Sequence, residues 1–264
     1  MELVEVTKVY HTGRTAVHAL RGVSLTIASG EFVSIMGPSG SGKSTLMHLL
    51  GALDTPTSGR ALFQGCDLQN LSDRERSLFR RRKIGFVFQF FNLLPTLTAA
   101  ENVALPLFLD GQTRNRALKR AMTVLERVGL EHRAAHYPEE MSGGEMQRVA
   151  VARALVMEPE AVLCDEPTGN LDSANSRDVL QLLRSLPEKG RRSVVMVTHD
   201  PQAAAYGDRL VYIRDGLIAG IEELRPAANI NDGTGGEVPL PPATISEMRN
   251  SSSIPYAARS SQRR

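Results

Sequence analysis

The chain has 264 residues, 42% of them hydrophobic, which is enough apolar material for one large α/β domain or two small ones. Its 31 Lys and Arg against 29 Asp and Glu give a formal charge of +2, a balance that supports neither a nucleic-acid-coating protein nor an acidic disordered chain. Cys66 and Cys164 cannot staple a chain of this size, which suits a reducing compartment; no apolar run approaches the roughly 18 to 20 residues of a membrane span, and Met1-Glu2-Leu3-Val4-Glu5 does not read as an export signal.

Residues 3–10 and 23–27 alternate apolar and polar side chains and predict antiparallel strands near the N-terminus. Phe32-Val33-Ser34-Ile35-Met36 reads as a strand that runs into a glycine-rich turn, after which 45–50 has helical character. Residues 60–63 read as a strand. The charged stretch 72–83 ends in Arg80-Arg81-Arg82-Lys83, a basic run that reads as a solvated surface before the strand 84–88. Residues 102–129 predict a helical insertion broken around Pro106 and Gly111. Helices at 144–157 and 176–186 then alternate with strands at 161–164 and 193–197, the rhythm of a mainly parallel sheet covered on both faces. Residues 210–213 and 217–219 flank Asp215-Gly216 as a hairpin. The Pro-, Gly- and Ser-bearing segment 226–264 reads as a flexible tail.

Gly37-Pro38-Ser39-Gly40-Ser41-Gly42-Lys43-Ser44, followed by Thr45, fits the full phosphate-loop pattern G-x-x-x-x-G-K-S/T. Its glycines permit a path that points backbone N–H groups at phosphate, Lys43 supplies a cation for the β- and γ-phosphates, and Ser44 can coordinate Mg²⁺. Asp165 and Glu166 directly follow an apolar strand, so one carboxylate can serve the metal while the other orients or deprotonates water. His199 also ends a strand, where it can bond to γ-phosphate or position Glu166. Gln89 can approach Mg²⁺ or the attacking water; a hydrogen-bonded polar side chain at a strand end explains it equally well.

Ser142-Gly143-Gly144-Glu145 combines a capping box with two glycines at a helix start whose N–H donors can receive phosphate. The motif alone does not say whether that phosphate belongs to the same chain or a neighbour.

Together these residues resemble the ATP-binding cassette (ABC) ATPase family across about 2–225, some 85% of the chain. Gly37 to Thr45 matches its Walker A loop, Gln89 its Q-loop, Asp165 and Glu166 its Walker B end, and Ser142 to Glu145 its signature. Asn170-Leu171-Asp172 matches its D-loop region, His199 its switch histidine and Tyr10 its adenine-stacking aromatic. The resemblance implies an α/β P-loop NTPase fold, the ABC nucleotide-binding domain, with an N-terminal antiparallel β subdomain and a helical insertion at about 95–155. It implies ATP and Mg²⁺ as cofactors, the metal on Ser44, Gln89 and Asp165. It further implies a head-to-tail homodimer in which Lys43, Ser44, Gln89, Asp165, Glu166 and His199 of one chain meet Ser142, Gly143 and Gly144 of its neighbour, with Asp172 linking the two sites.

Phe90-Phe91-Asn92-Leu93-Leu94-Pro95-Thr96-Leu97-Thr98, Glu101-Asn102-Val103 and Gly169-Asn170-Leu171-Asp172 resemble the branch serving lipoprotein release, macrolide export and cell division. That branch implies a peripheral subunit on the cytoplasmic face of the cell membrane driving a separate permease, with 93–102 near the coupling surface. A different reading is a soluble cassette ATPase acting on nucleic acid or ribosomes through Arg80 to Lys83. Such relatives commonly carry two cassettes or a long coiled insertion, which this sequence lacks, so no nucleic-acid partner is expected. A third reading, an importer ATPase, keeps the chemistry and reverses the direction.

Overall fold

The computed structural model describes residues 1–13, 15–188 and 190–224; the segment 226–264, read above as flexible, lies outside them. The strands are β1 (Glu2–Thr12), β2 (Thr15–Thr26), β3 (Phe32–Met36), β4 (Ser58–Phe63), β5 (Cys66–Asp67), β6 (Ile84–Phe88), β7 (Ala161–Asp165), β8 (Ser193–Thr198), β9 (Arg209–Arg214) and β10 (Leu217–Glu223). The helices are α1 (Lys43–Leu50), α2 (Asp73–Lys83), α3 (Ala99–Leu109), α4 (Arg114–Arg127), α5 (Gly143–Leu155), α6 (Ser173–Arg184) and α7 (Pro201–Ala204). One sheet is antiparallel, in the order β2-β1-β4-β5. The other runs β10-β9-β3-β8-β7-β6 and is parallel except for β10.

Side-chain alternation divides the core into two layers about the parallel sheet. Val33, Ile35, Leu163, Val195 and Val197 pack with α1 and the antiparallel sheet, through Leu46, Leu49, Leu3 and Leu25. Their neighbours Phe32, Val162, Cys164, Val194 and Met196 point the other way and pack on α6 through Val179, Leu180 and Leu183. Every residue of β3 and β8 is therefore buried, and the near-continuous apolar runs of these strands reflect a sheet covered on both faces.

A separate core joins α3, α4 and α5 around Val103, Leu107, Ala121, Leu125, Met141, Val149 and Ala152. Pro106 does not break this insertion as expected but lies inside α3, whose own start is fixed by a Thr98/Glu101 capping box. A proline forfeits one amide bond, and the Pro106 carbonyl still accepts from the Asp110 amide at 3.0 Å, so the helix ends at Asp110 and Gly111. Ser72 caps α2, which has no buried residue, and its basic end Arg80 to Lys83, expected to be a solvated surface, lies on the surface and also makes specific bonds. Arg80 donates to the Ala52 carbonyl at 2.7 Å, Arg81 to the Leu109 carbonyl at 2.6 Å and Arg82 to Asp110 at 2.9 Å, while Lys83 pairs with Glu160.

Candidate nucleotide site

The register of the parallel sheet aligns the residues that follow its strands. Met36 pairs with Thr198, Val197 with Asp165 and Asp165 with Phe88, so Gly37, His199, Glu166 and Gln89 leave neighbouring strands at one edge. At about 4.8 Å per strand, these four exits span roughly 14 Å. Crevices outside the carboxyl ends of parallel strands are where such folds bind ligands.

The loop from Gly37 to Gly42 is shaped by close backbone approach. A Cβ on Gly37 would sit 2.0 Å from the Ile213 carbonyl, and Gly42 has φ +104° with the Ala19 carbonyl 2.5 Å from its would-be Cβ. The β9–β10 hairpin buttresses this loop, the Gly216 amide donating to the Ser41 carbonyl at 3.0 Å. Pro38, Ser39 and Gly40 form the turn, with the Ser41 amide bonded to the Pro38 carbonyl at 3.2 Å. Among the described residues no side chain caps α1, so its first-turn amides are available to an outside acceptor. The Ser41 hydroxyl is buried without a partner among the described residues, and the Lys43 ammonium curls back to the Gly37 and Pro38 carbonyls at 2.9 Å each. Burial pushes the Lys43 ammonium below its ordinary pKa, against the pull of Glu166 and Asp165. An uncapped helix start, an orphaned hydroxyl and an ammonium held by carbonyls fit a phosphate chain.

Asp165 ends β7, with Ser44 among the groups that act on its carboxyl. Burial raises its pKa; His48, Lys43 and Ser44 pull it down, and Glu166 adds to the rise. The pair Ser44 and Asp165 is a hard oxygen donor set that suits Mg²⁺. Among the described residues no three His, Cys, Asp or Glu side chains converge on a metal, so a cation here would depend on further oxygens from phosphate or water.

Glu166 stands in the left-handed region at φ +48°, a conformation that costs a non-glycine residue on the order of 1 kcal/mol or more. Its amide donates to the Val197 carbonyl at 2.9 Å, and its carbonyl accepts from Gly169 at 3.0 Å, so the turn is fixed from both sides. The carboxylate receives the His199 ring Nδ1 at 3.0 Å and the His199 amide at 3.3 Å. A strained turn thus presents a carboxylate beside Lys43 with an exposed histidine holding it. Gln89 donates through Nε2 to Asn170 at 3.3 Å, and Asn170 returns a bond to the Gln89 carbonyl at 3.1 Å.

Ser142 caps α5 in a full capping box, its amide donating to Glu145 at 2.8 Å and its hydroxyl accepting from the Glu145 amide at 3.3 Å. Gly144 packs so close to α6 that a Cβ would sit 2.0 Å from Asn175 Oδ1, whereas one on Gly143 would meet Leu171 at 3.3 Å. Among the described residues, the nearest neighbours of Ser142, Gly143 and Gly144 are Glu145, Phe91, Asn170, Leu171 and Asn175, none of them in the 37–45 loop. Asp172 is the N-cap of α6, accepting from Ala174 and Asn175 amides at 3.0 and 2.9 Å. That cap starts α6 at Ser173, three residues before the expected 176. Tyr10, 37% exposed on β1, bonds through its hydroxyl to Asp54 at 2.8 Å.

Two residues that the motif reading passed over tie these parts together. Gln147, fully buried on α5, donates to the Pro167 carbonyl at 2.6 Å and the Phe88 carbonyl at 3.3 Å, while its Oε1 has no partner among the described residues. Arg153, six residues further along, donates to the Phe91 and Asn92 carbonyls, where two successive residues have positive φ. The signal for Gln147 was a polar residue on the apolar stripe it shares with Val151 and Ala154.

The model of the ABC transporter family matches residues 20–169. The lipoprotein-releasing system ATP-binding protein LolD of Shewanella frigidimarina is 46% identical over 226 residues, covering 86% of this chain and 95% of that protein. The macrolide export ATP-binding/permease protein MacB of Chlorobaculum tepidum is 48% identical over 218 residues, 83% of this chain but 33% of that longer protein. The ATP-binding cassette MJ0796 of Methanocaldococcus jannaschii, solved as a post-hydrolysis dimer bound to ADP and Pi, superposes with a TM-score of 0.78 at 46% identity, over 85% of this chain and 98% of that one. A phosphate loop, a paired carboxylate turn and a capped glycine helix start, on a fold shared at this identity, make the chain a member of the ABC transporter family, an ATP-binding and ATP-hydrolysing transporter subunit.

Proposed function

We propose that two copies of this chain close head to tail around two ATP molecules and drive a separate membrane permease in lipoprotein release or a related export process. The observation that carries the reading is the division of labour across the chain: Glu166 is held by His199 beside the Lys43 loop, while the other phosphate-ready helix start, at Ser142, has Phe91, Leu171 and Asn175 as its nearest neighbours instead of that loop. A second copy would supply what the first keeps apart. In that arrangement Gly37 to Thr45 wraps the phosphates, Lys43 exchanges loop carbonyls for phosphate oxygens, and Tyr10 stacks on the base. Ser44, Asp165 and Gln89 would hold Mg²⁺, which when bound neutralises phosphate charge. Glu166 accepts a hydrogen bond from the attacking water, and His199 fixes the carboxylate. Water oxygen bonds to the γ-phosphorus and gives its proton to Glu166, as the bond to the β–γ bridging oxygen breaks and that oxygen leaves with the electron pair on ADP. The partner's Ser142, Gly143 and Gly144 meet the γ-phosphate with the free donors of a helix start and exclude bulk water. Asp172 lies beside the signature glycines through Asn175, where it would relay closure between the two sites. We read 2–225 as one ATPase domain with its helical part at about 95–155.

Similarity over nearly the whole length of LolD supports the permease partner and a peripheral place on the cytoplasmic face of the membrane; among the described residues no helix is long and apolar enough to cross a membrane. The nucleic-acid reading loses its main support, because Arg80, Arg81, Arg82 and Lys83 are engaged within the fold. The test is Glu166→Gln. With ATP and Mg²⁺ it accumulates a dimer by light scattering, and the tagged chain retrieves a polytopic membrane protein from its own cells. A variant that stays monomeric, or hydrolyses like the wild type, or retrieves ribosomes instead, overturns the proposal.

A further inference from the structure

Beyond the phosphate chemistry, a compact charged cluster lies where β1 meets the segment that follows α1. The Lys8 ammonium donates to Asp54 Oδ1 at 2.6 Å and to the Thr55 carbonyl at 2.8 Å, and sits 4.9 Å from the Tyr10 ring centroid. Asp54 Oδ2 accepts the Tyr10 hydroxyl at 2.8 Å, and Oδ1 also accepts the Thr55 amide at 2.7 Å. Lys8 and Tyr10, two apart on one strand, share a face and close on the same carboxylate from both sides. The cluster is stitched in place by the Thr57 amide to the Thr7 carbonyl at 2.8 Å and by the Val9 amide to Thr57 Oγ1 at 3.0 Å. Burial works against the charge on Asp54, but the bonds from Lys8, Tyr10 and the Thr55 amide outweigh it and hold the carboxyl below its ordinary range.

We propose that Asp54, clamped by Lys8, is a positioning residue for the nucleobase: it fixes the Tyr10 ring relative to α1, so that the stacking face and the phosphate loop move as one body. This rests on the reading of Tyr10 as the base-stacking residue. An exposed tyrosine on a strand otherwise samples several rotamers, and a base that stacks on it must order it first. Asp54 and Lys8 remove that freedom before ATP arrives, and Asp54, a few residues beyond the end of α1, refers the ring to the helix that receives the phosphates.

The test compares a ligand with a base and one without: KM and kcat for ATP, and inhibition by inorganic tripolyphosphate, in Asp54→Ala, Tyr10→Phe, Tyr10→Ala and the Asp54→Ala/Tyr10→Phe double variant. Losing an ordered stacking partner is expected to raise the KM for ATP about five- to tenfold in Asp54→Ala. The effect falls on KM rather than kcat, tripolyphosphate inhibition stays at the wild-type level, and the double variant is no worse than the more affected single one. Asp54→Asn, which keeps an acceptor for Tyr10, recovers part of the affinity. Equal weakening of ATP and tripolyphosphate would show that Asp54 merely supports α1, and it would overturn the inference. So would an Asp54→Ala variant with unchanged KM while Tyr10→Ala weakens ATP. If Tyr10→Ala itself leaves ATP binding intact, the base-stacking reading fails and takes the inference with it.

Discussion

Replacing Gln147 by leucine separates the stability of this fold from its catalytic coupling. The side chain gives one strong bond, to the Pro167 carbonyl at 2.6 Å, and a weaker one, to the Phe88 carbonyl at 3.3 Å. Both acceptors adjoin candidate catalytic residues, since Pro167 follows Glu166 and Phe88 precedes Gln89. Losing the bonds costs about 1 kcal/mol, and leaving the Pro167 carbonyl unpaired adds about 1–3 kcal/mol. Leucine also removes the buried, unpartnered Oε1, which relieves a penalty of about the same size. The net cost is then about 0–2 kcal/mol, small for a residue with no exposed surface. Turnover is expected to fall about ten- to a hundredfold, because the Glu166 turn and the Gln89 loop lose their common anchor on α5. Urea unfolding and phosphate-release kinetics measure the two quantities on the same preparation. A stability loss above about 4 kcal/mol, well outside the hydrogen-bond range, or an unchanged turnover refutes this account of Gln147.

Further expectations follow from the same geometry. Gly144→Ala places a methyl in contact with Asn175, which is itself bonded to Asp172 at 2.7 Å, so overpacking of about 1–3 kcal/mol is expected; Asn175→Ala should recover much of it in thermal melts. Lys43→Ala should abolish ATP binding by calorimetry while leaving the melting temperature close to that of wild type, since among the described residues the ammonium bonds only to its own loop. Glu145 is held below the ordinary carboxylate range by the Ser142 amide and hydroxyl and by Arg133. Its stabilisation is therefore complete above the unfolded-state value near pH 4.3 and is lost as pH falls through the lower folded value. Glu145→Gln should flatten the fall in melting temperature on acidification, and parallel profiles for variant and wild type would contradict the assignment.

How far the sequence carried the argument depends on the range of the interaction. The uniform apolar runs of β3 and β8 announced strands buried on both faces, and the Ser142–Glu145 pair announced a helix start, because alternation and capping are local. The helix α2 was hidden: it has no buried residue and no apolar stripe, and its Ser72/Glu75 capping box and its basic end carry the sequence signal instead. Pro106 misled because a proline is read as a breaker wherever it falls, although here the surrounding helix packs on α4 and α5 and tolerates it. The contacts of Gly37 with Ile213, Gly144 with Asn175 and Gln147 with Pro167 join distant parts of the chain. A local signal can mark one end, as the polar Gln147 on an apolar stripe does, but nothing local names the partner, so the buttressing hairpin, the crowded signature glycine and the α5 crosspiece emerged only with the fold. The phosphate-loop residues, by contrast, were legible because each contributes its chemistry at fixed sequence spacing.

Specific ATPase activity measured against protein concentration, with light scattering on the same samples, tests the shared site most directly. If Ser142 to Gly144 of one copy complete the site of the other, activity per chain falls toward zero as dilution converts the sample to monomer and returns on concentration. Activity per chain that stays constant in a sample shown to be entirely monomeric contradicts the account.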